Sequence, residues 1–212
     1  METQKVLIIG ATGAAGKLLV ERTLAEGHVV TALVRSPEKL GLSHDRLQVL
    51  QGDALDIAAV EQAVVGQDAV FVLLSQPSLD TPSTVSSDAT QLIVSAMERK
   101  GVRRLVCVTA LGTGDSRQHA GFLYNRLIMP LVLKHVMVDK ERQEAAIQGS
   151  TLLDWTIVRP PRLTDEPARG DYQLLTGGKS KVSKMARADL AAAMLDQLAD
   201  GRYLHKAVVV GY

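Results

Sequence analysis

Short apolar runs of strand length alternate along this chain with longer stretches of helical period. The runs Val6–Ile9, His28–Val34, Leu47–Leu50, Asp68–Ser75, Arg104–Thr109 and Trp155–Val158 are rich in Val, Ile and Leu. The nearly unbroken apolar character of the fourth fits a strand buried on both faces. Between the runs lie helical segments at Gly13–Ala25, Ile57–Val65 and Asp88–Lys100, the last with Ala89, Leu92, Ile93, Ala96 and Met97 on one side. This rhythm predicts parallel strands joined by crossover helices: an α/β fold with a doubly wound, mostly parallel sheet of Rossmann type in three α/β/α layers.

Local punctuation supports these limits. Glu26-Gly27 and Gly101 are glycine stops, Asp56 can cap the second helix, and Ser36-Pro37 opens a short one. Beyond Gly112-Thr113-Gly114-Asp115 a long helical region, about Arg117 to Gln148, must be kinked or split by Pro130. Its apolar excess (Phe122, Leu123, Leu127, Ile128, Leu131, Val132) suits either a face packed on the sheet or an oligomer surface, so monomer and homodimer both stay open. A turn-rich stretch to about Lys184, a helix at Arg187–Leu198 and a strand at Ala207–Val210 complete one expected domain, residues 1–212, with a small C-terminal segment on the substrate side.

Composition narrows the partners. The 212 residues are 46% hydrophobic and 22% charged, with a formal net charge of +1, so no basic excess points to nucleic acid or an anionic membrane. Cys107 is the single cysteine; its apolar surroundings suggest a buried, inert thiol and a cytoplasmic setting. No leader is expected before the first strand, and Leu127–Leu133 is far shorter than the roughly 20 residues of a spanning helix. No metal site is expected.

Candidate chemistry concentrates where the first strand ends. Gly10-Ala11-Thr12-Gly13-Ala14-Ala15-Gly16 places three glycines at three-residue spacing between a strand and a helix. Glycine permits positive φ and close backbone approach, and a new helix offers free N–H groups and partial positive charge, which together suit a pyrophosphate. The second strand ends in Arg35-Ser36 where NAD-selective sites typically carry an acid. Arg35, helped by Ser36 and Lys39, can hold a 2′-phosphate, which predicts NADP, used as NADPH. Asp53, ending the third strand, suits the adenine amino group or a plain turn. The Ser-, Thr- and Pro-rich loop from Gln76 to about Thr84 is a further expected ligand segment.

These pieces, with Gly66-Gln67-Asp68-Ala69-Val70 and Asp154-Trp155-Thr156-Ile157-Val158-Arg159-Pro160-Pro161, resemble the atypical short-chain dehydrogenase/reductase family. The branches most similar are biliverdin-IXβ reductase/flavin reductase and the NmrA-like NAD(P)-binding proteins. The resemblance implies Gly10, Thr12, Gly13, Ala14, Ala15 and Gly16 around the pyrophosphate, Arg35 at the 2′-phosphate, and Asp53 and Ala54 at the adenine. It further implies Leu74, Ser75 and Thr109 at the nicotinamide-side ribose, Pro160 beside the nicotinamide, and Ala110, Leu111, Arg162 and Leu163 in the substrate pocket.

Departures matter too. Tyr124, Tyr172 and Tyr203 are followed four residues on by Ile128, Thr176 and Ala207, so no tyrosine opens the Tyr-x-x-x-Lys pair of typical members. Ala110 and Arg162 stand where the flavin reductase branch carries serine and histidine. Lys140 and Glu144 are expected on a solvated helix face. The leading expectation is an NADPH-dependent oxidoreductase passing hydride to a small flat conjugated acceptor, a flavin, quinone or similar, with Arg162 able to neutralise its phosphate or carboxylate. The alternative is a non-catalytic NADP-binding redox sensor of NmrA type acting through a protein partner. A sugar-nucleotide epimerase is disfavoured by the missing tyrosine base.

Overall fold

The computed structural model describes residues 2–76, 81–122, 124–178 and 180–212, apart from the side chains of residues 124 and 125. Leu123 and part of the loop expected from Gln76 to Thr84 lie outside them. The first half alternates as its pattern dictates: β1 (Lys5–Ile9), α1 (Ala14–Ala25), β2 (Val29–Val34), β3 (Leu47–Gln51), α2 (Ile57–Val64), β4 (Ala69–Val72), α3 (Val85–Lys100) and β5 (Arg104–Val108). The second half adds α4 (Met129–Leu131), α5 (Lys134–Gln148), β6 (Asp154–Arg159), β7 (Arg162–Thr164), β8 (Gln173–Leu175), β9 (Lys184–Ala186), α6 (Arg187–Asp196) and β10 (Lys206–Gly211).

One sheet runs in the order β3-β2-β1-β4-β5-β6-β10-β8, parallel except for β8 at its edge, which is the doubly wound Rossmann arrangement. The period of two along β1 separates its side chains between two cores. Val6 and Ile8 enter the layer beneath α1 and α6, while Leu7 and Ile9 enter the layer beneath α2 and α3. All four are at most 1% exposed, so this strand accounts for its apolar run by burial on both faces.

Two segments differ from their patterns. The turn-rich stretch contains β7, β8 and β9, with β7 and β9 forming a separate parallel pair. Three residues each, they are too short to show a period. The long helix expected at Arg117–Gln148 is broken into a 3₁₀ turn (Gly114–His119), a π turn (Tyr124–Ile128), α4 and α5. Pro130 sits in α4, and the N–H groups of Val132 and Leu133 both return to the Ile128 carbonyl before α5 begins. On this segment Phe122 and Leu131 stay 81% and 77% exposed.

Candidate functional site

Strand order reverses between β1 and β4, and the chain leaves those two strands in opposite directions, opening a crevice at their carboxyl ends. A cleft of about 740 Å³ lies there. Its lining comes from Gly10, Gly13, Ala14, Ala15 and Gly16 after β1, Leu73, Leu74 and Ser75 after β4, Thr109 and Ala110 after β5, and Pro160, Pro161, Arg162 and Leu163 after β6.

The three glycines do different work. Gly10 has φ +95°, and a Cβ on it would fall on the Leu73 backbone, its carbonyl carbon 2.8 Å away. A Cβ on Gly16 would strike the Gly10 carbonyl and come within 2.9 Å of Ala11 Cα. Close packing of strand, turn and helix therefore requires both. Gly13 alone has room for a Cβ, which would meet only the Gly10 carbonyl at 3.4 Å: it is the exposed N-cap of α1, with φ −71° and no side chain to satisfy the helix's leading N–H groups. Those donors open onto the cleft. Thr12 is half-buried and lies outside the lining.

Beside the glycine loop stands a buried polar network. Lys140 and Glu144 are each 4% exposed, which corrects the expected solvated face: α5 turns them toward the sheet. Lys140 Nζ donates to the Leu74 carbonyl at 2.7 Å and to Gln143 Oε1 at 2.9 Å, and Lys140 lines the cleft. Burial pushes its ammonium below the ordinary lysine value, opposed by the nearby Cys107, Asp139 and Glu144. Glu144 Oε1 accepts from Thr109 Oγ1 and Thr113 Oγ1, both at 2.6 Å, and the Arg159 guanidinium binds both Glu144 oxygens. Thr109 thus reaches the cleft with its hydroxyl proton already committed, leaving that oxygen as an acceptor. Cys107 is fully buried, its thiol pushed up to about 12 chiefly by burial, which fits an inert role.

The other expected residues occupy a second locus. Arg35 and Ser36 follow β2, and Asp53 and Ala54 follow β3, whose end is tied to β2 by Gly52 N–H donating to the Val34 carbonyl. Arg35 is exposed and, among the described residues, its side chain has no hydrogen bond or ion pair. Asp53 Oδ1 accepts from Leu55 N–H at 3.0 Å, the turn role left open for it. Leu111 is 2% exposed in a small cluster with Ala120, Val182 and Val209 and does not line the cleft. The cleft's apolar wall comes from Ile128, Leu133, Val136 and Met137, with Leu163. Counting back from Lys140 would have found part of it: the position four residues earlier is Val136.

Among the described residues no group of three or more His, Cys, Asp or Glu side chains could hold a metal, and no helix is long and apolar enough to cross a membrane. The profile of a family described as NAD(P)H-binding matches residues 10–201. The chain belongs to this NAD(P)H-binding family.

Relatives in and around the family include reductases and oxidoreductases. A (4-alkanoyl-5-oxo-2,5-dihydrofuran-3-yl)methyl phosphate reductase of Streptomyces griseus is 30% identical over 73% of this chain, which spans 46% of that protein's length. The anaerobilin reductase ChuY of Escherichia coli O157:H7 superposes with a TM-score of 0.78 at 25% identity, over 98% of this chain and 96% of the other. A short-chain dehydrogenase/reductase of Veillonella parvula in complex with NADP matches with a TM-score of 0.82 at 23% identity, over 100% and 95%, a likeness of fold.

Proposed function

We propose that this NAD(P)H-binding protein is an NADPH-dependent oxidoreductase whose acceptor is a flat conjugated molecule such as a flavin or quinone. One observation carries the reading. Val136 and Lys140 line the cleft together on α5, so the lysine of the lining has an apolar side chain, not a tyrosine, four residues before it. A site without that hydroxyl acid lacks the group that exchanges a proton with a carbonyl or alcohol. An apolar wall suits instead an acceptor that needs orientation rather than a protein acid.

The residues present fit the dinucleotide. Gly13, Ala14 and Ala15 would offer backbone and N–H groups to the pyrophosphate, and Arg35 with Ser36 would take the 2′-phosphate. Asp53 and Ala54 would border the adenine; Leu74, Ser75 and Thr109 the nicotinamide-side ribose; and Pro160 the nicotinamide. Reduced nicotinamide supplies a hydride, and the acceptor takes its proton from water. Support comes from the Streptomyces relative, whose named substrate is an unsaturated ring lactone, from the anaerobilin reductase, and from the NADP bound to the Veillonella protein.

Anaerobic stopped-flow mixing of the NADPH-loaded protein with a panel of flavins and quinones tests the proposal. Oxidation of NADPH by at least one class is expected. Tight binding of both cofactor forms with no oxidation by any member would sink it and favour the sensor reading, for which exposed Phe122 and Leu131 offer a partner surface.

A further inference from the structure

The charge lining the cleft is one-sided. Lys140, Arg162 and Arg187 line it, and no Asp or Glu is among its described lining residues. Two of these cations are engaged. Lys140 is held by the Leu74 carbonyl and Gln143, and Arg187 Nη1 pairs with Asp165 Oδ1 at 2.6 Å.

Arg162 is different. It opens β7 directly after Pro160-Pro161, with an exposed side chain whose guanidinium, among the described residues, makes no hydrogen bond or ion pair. Its neighbour across the strand pair, Lys184, takes both oxygens of Glu166 at 2.7 Å, so that carboxylate gives its hydrogen bonds to Lys184 and reaches Arg162 only through its field. Bringing an apolar ligand against a guanidinium with no bonded carboxylate strips its water without return, unless the ligand brings its own negative charge.

We infer that Arg162 anchors the acceptor: the cleft takes a flat, largely apolar molecule carrying an acid group, a phosphate or carboxylate, which Arg162 binds. The inference rests on the reductase reading above. The apolar wall of Leu133, Val136, Met137 and Leu163 accommodates the conjugated body, and Arg162 can grip two oxygens of the acid at once.

Flavin mononucleotide and riboflavin share a ring system and differ by a phosphate, so they are the probes. Their affinities for the NADP-loaded protein are read from quenching of flavin fluorescence, a measurement that needs no hydride transfer and so separates this inference from the reductase reading. The expected result is a preference for the mononucleotide of roughly 10- to 100-fold. That preference falls toward unity in Arg162→Gln, returns in part in Arg162→Lys, and shrinks with added salt in the unaltered protein. Equal affinity for the two flavins, binding of neither, or a preference that survives Arg162→Gln overturns the inference. A matching loss of NADPH affinity in Arg162→Gln also overturns it, assigning the guanidinium to the cofactor's own phosphates.

Discussion

Glu144 and Arg159 face one another beneath the cleft through two parallel hydrogen bonds, Nε to Oε1 at 2.9 Å and Nη2 to Oε2 at 2.6 Å, with side chains 5% and 4% exposed. The pair ties α5 to the end of β6, and through Thr109 and Thr113 it also fixes the chain leaving β5. Three of the backbone segments around the cleft therefore share one carboxylate. Burial alone would lower the arginine's pKa, but the bonds to Glu144 and Asp115 outweigh it and raise it.

Glu144→Gln keeps the shape and leaves Arg159 charged beneath the cleft, with the largely exposed Asp115 as its remaining ionic partner among the described residues. The expected loss of stability is about 3–5 kcal/mol. Glu144→Gln combined with Arg159→Met should lose less than the sum of the two single changes, because the second removes the charge that the first strands. Denaturant unfolding checks both. A single-variant loss below about 1 kcal/mol would show that the pair is not holding these segments together.

The glycine loop predicts a split between folding and binding. Gly16→Ala sets a methyl against backbone on two sides and should cost on the order of 3 kcal/mol. Gly13→Ala meets only the Gly10 carbonyl, at 3.4 Å, and has φ −71°, so its stability should stay within about 1 kcal/mol of the parent. Its NADPH affinity should nevertheless fall at least roughly tenfold, since the new methyl stands where the pyrophosphate would approach the helix. Paired unfolding curves and NADPH titrations separate the two effects, and a Gly13→Ala protein with undiminished affinity would place the phosphates elsewhere.

The parallel sheet was legible because each central strand is buried on both faces and so writes a continuous apolar run between glycine and proline stops. The glycine loop was legible for the same reason: strand, turn and helix follow one another locally. Lys140 and Glu144 were misread because α5 carries polar groups on its buried side, Asp139, Lys140, Gln143 and Glu144, satisfied by partners far away in sequence. A helix read by itself puts such residues in water. β7 and β9 were missed for a related reason, as three-residue strands exist only through each other.

Arg35 should decide between cofactors. It is exposed at the end of β2, and no described residue competes for its guanidinium. Arg35→Asp removes the charge that would meet the 2′-phosphate and adds one that repels it. NADPH affinity should fall roughly 100-fold, while NADH affinity changes less than about threefold. Competitive titration of the two reduced dinucleotides measures both, and parallel losses for the two would show that Arg35 acts on the fold or on shared parts of the cofactor.

Asp139 gives the fold a defined acid response. It is 1% exposed on α5, and its two oxygens accept the N–H groups of Ser87 at 2.9 Å and Ser86 at 3.1 Å, capping α3 from another helix. Burial pushes its carboxyl upward, but the hydrogen bonds from Ser87, Gln76 and Ser86 outweigh burial and hold it below the ordinary 3.8. A carboxyl with a depressed folded-state pKa stabilises the fold fully above its unfolded value, and that contribution disappears as pH drops through the folded value. Asp139→Asn should therefore cost about 1–2 kcal/mol at pH 7. The gap between parent and variant should hold steady down to the ordinary value of 3.8 and narrow below it, as the parent's own carboxylate is protonated. Urea unfolding of both proteins across that range measures the gap directly, and a difference that persists unchanged into acid would mean that the cap works through shape and not through charge.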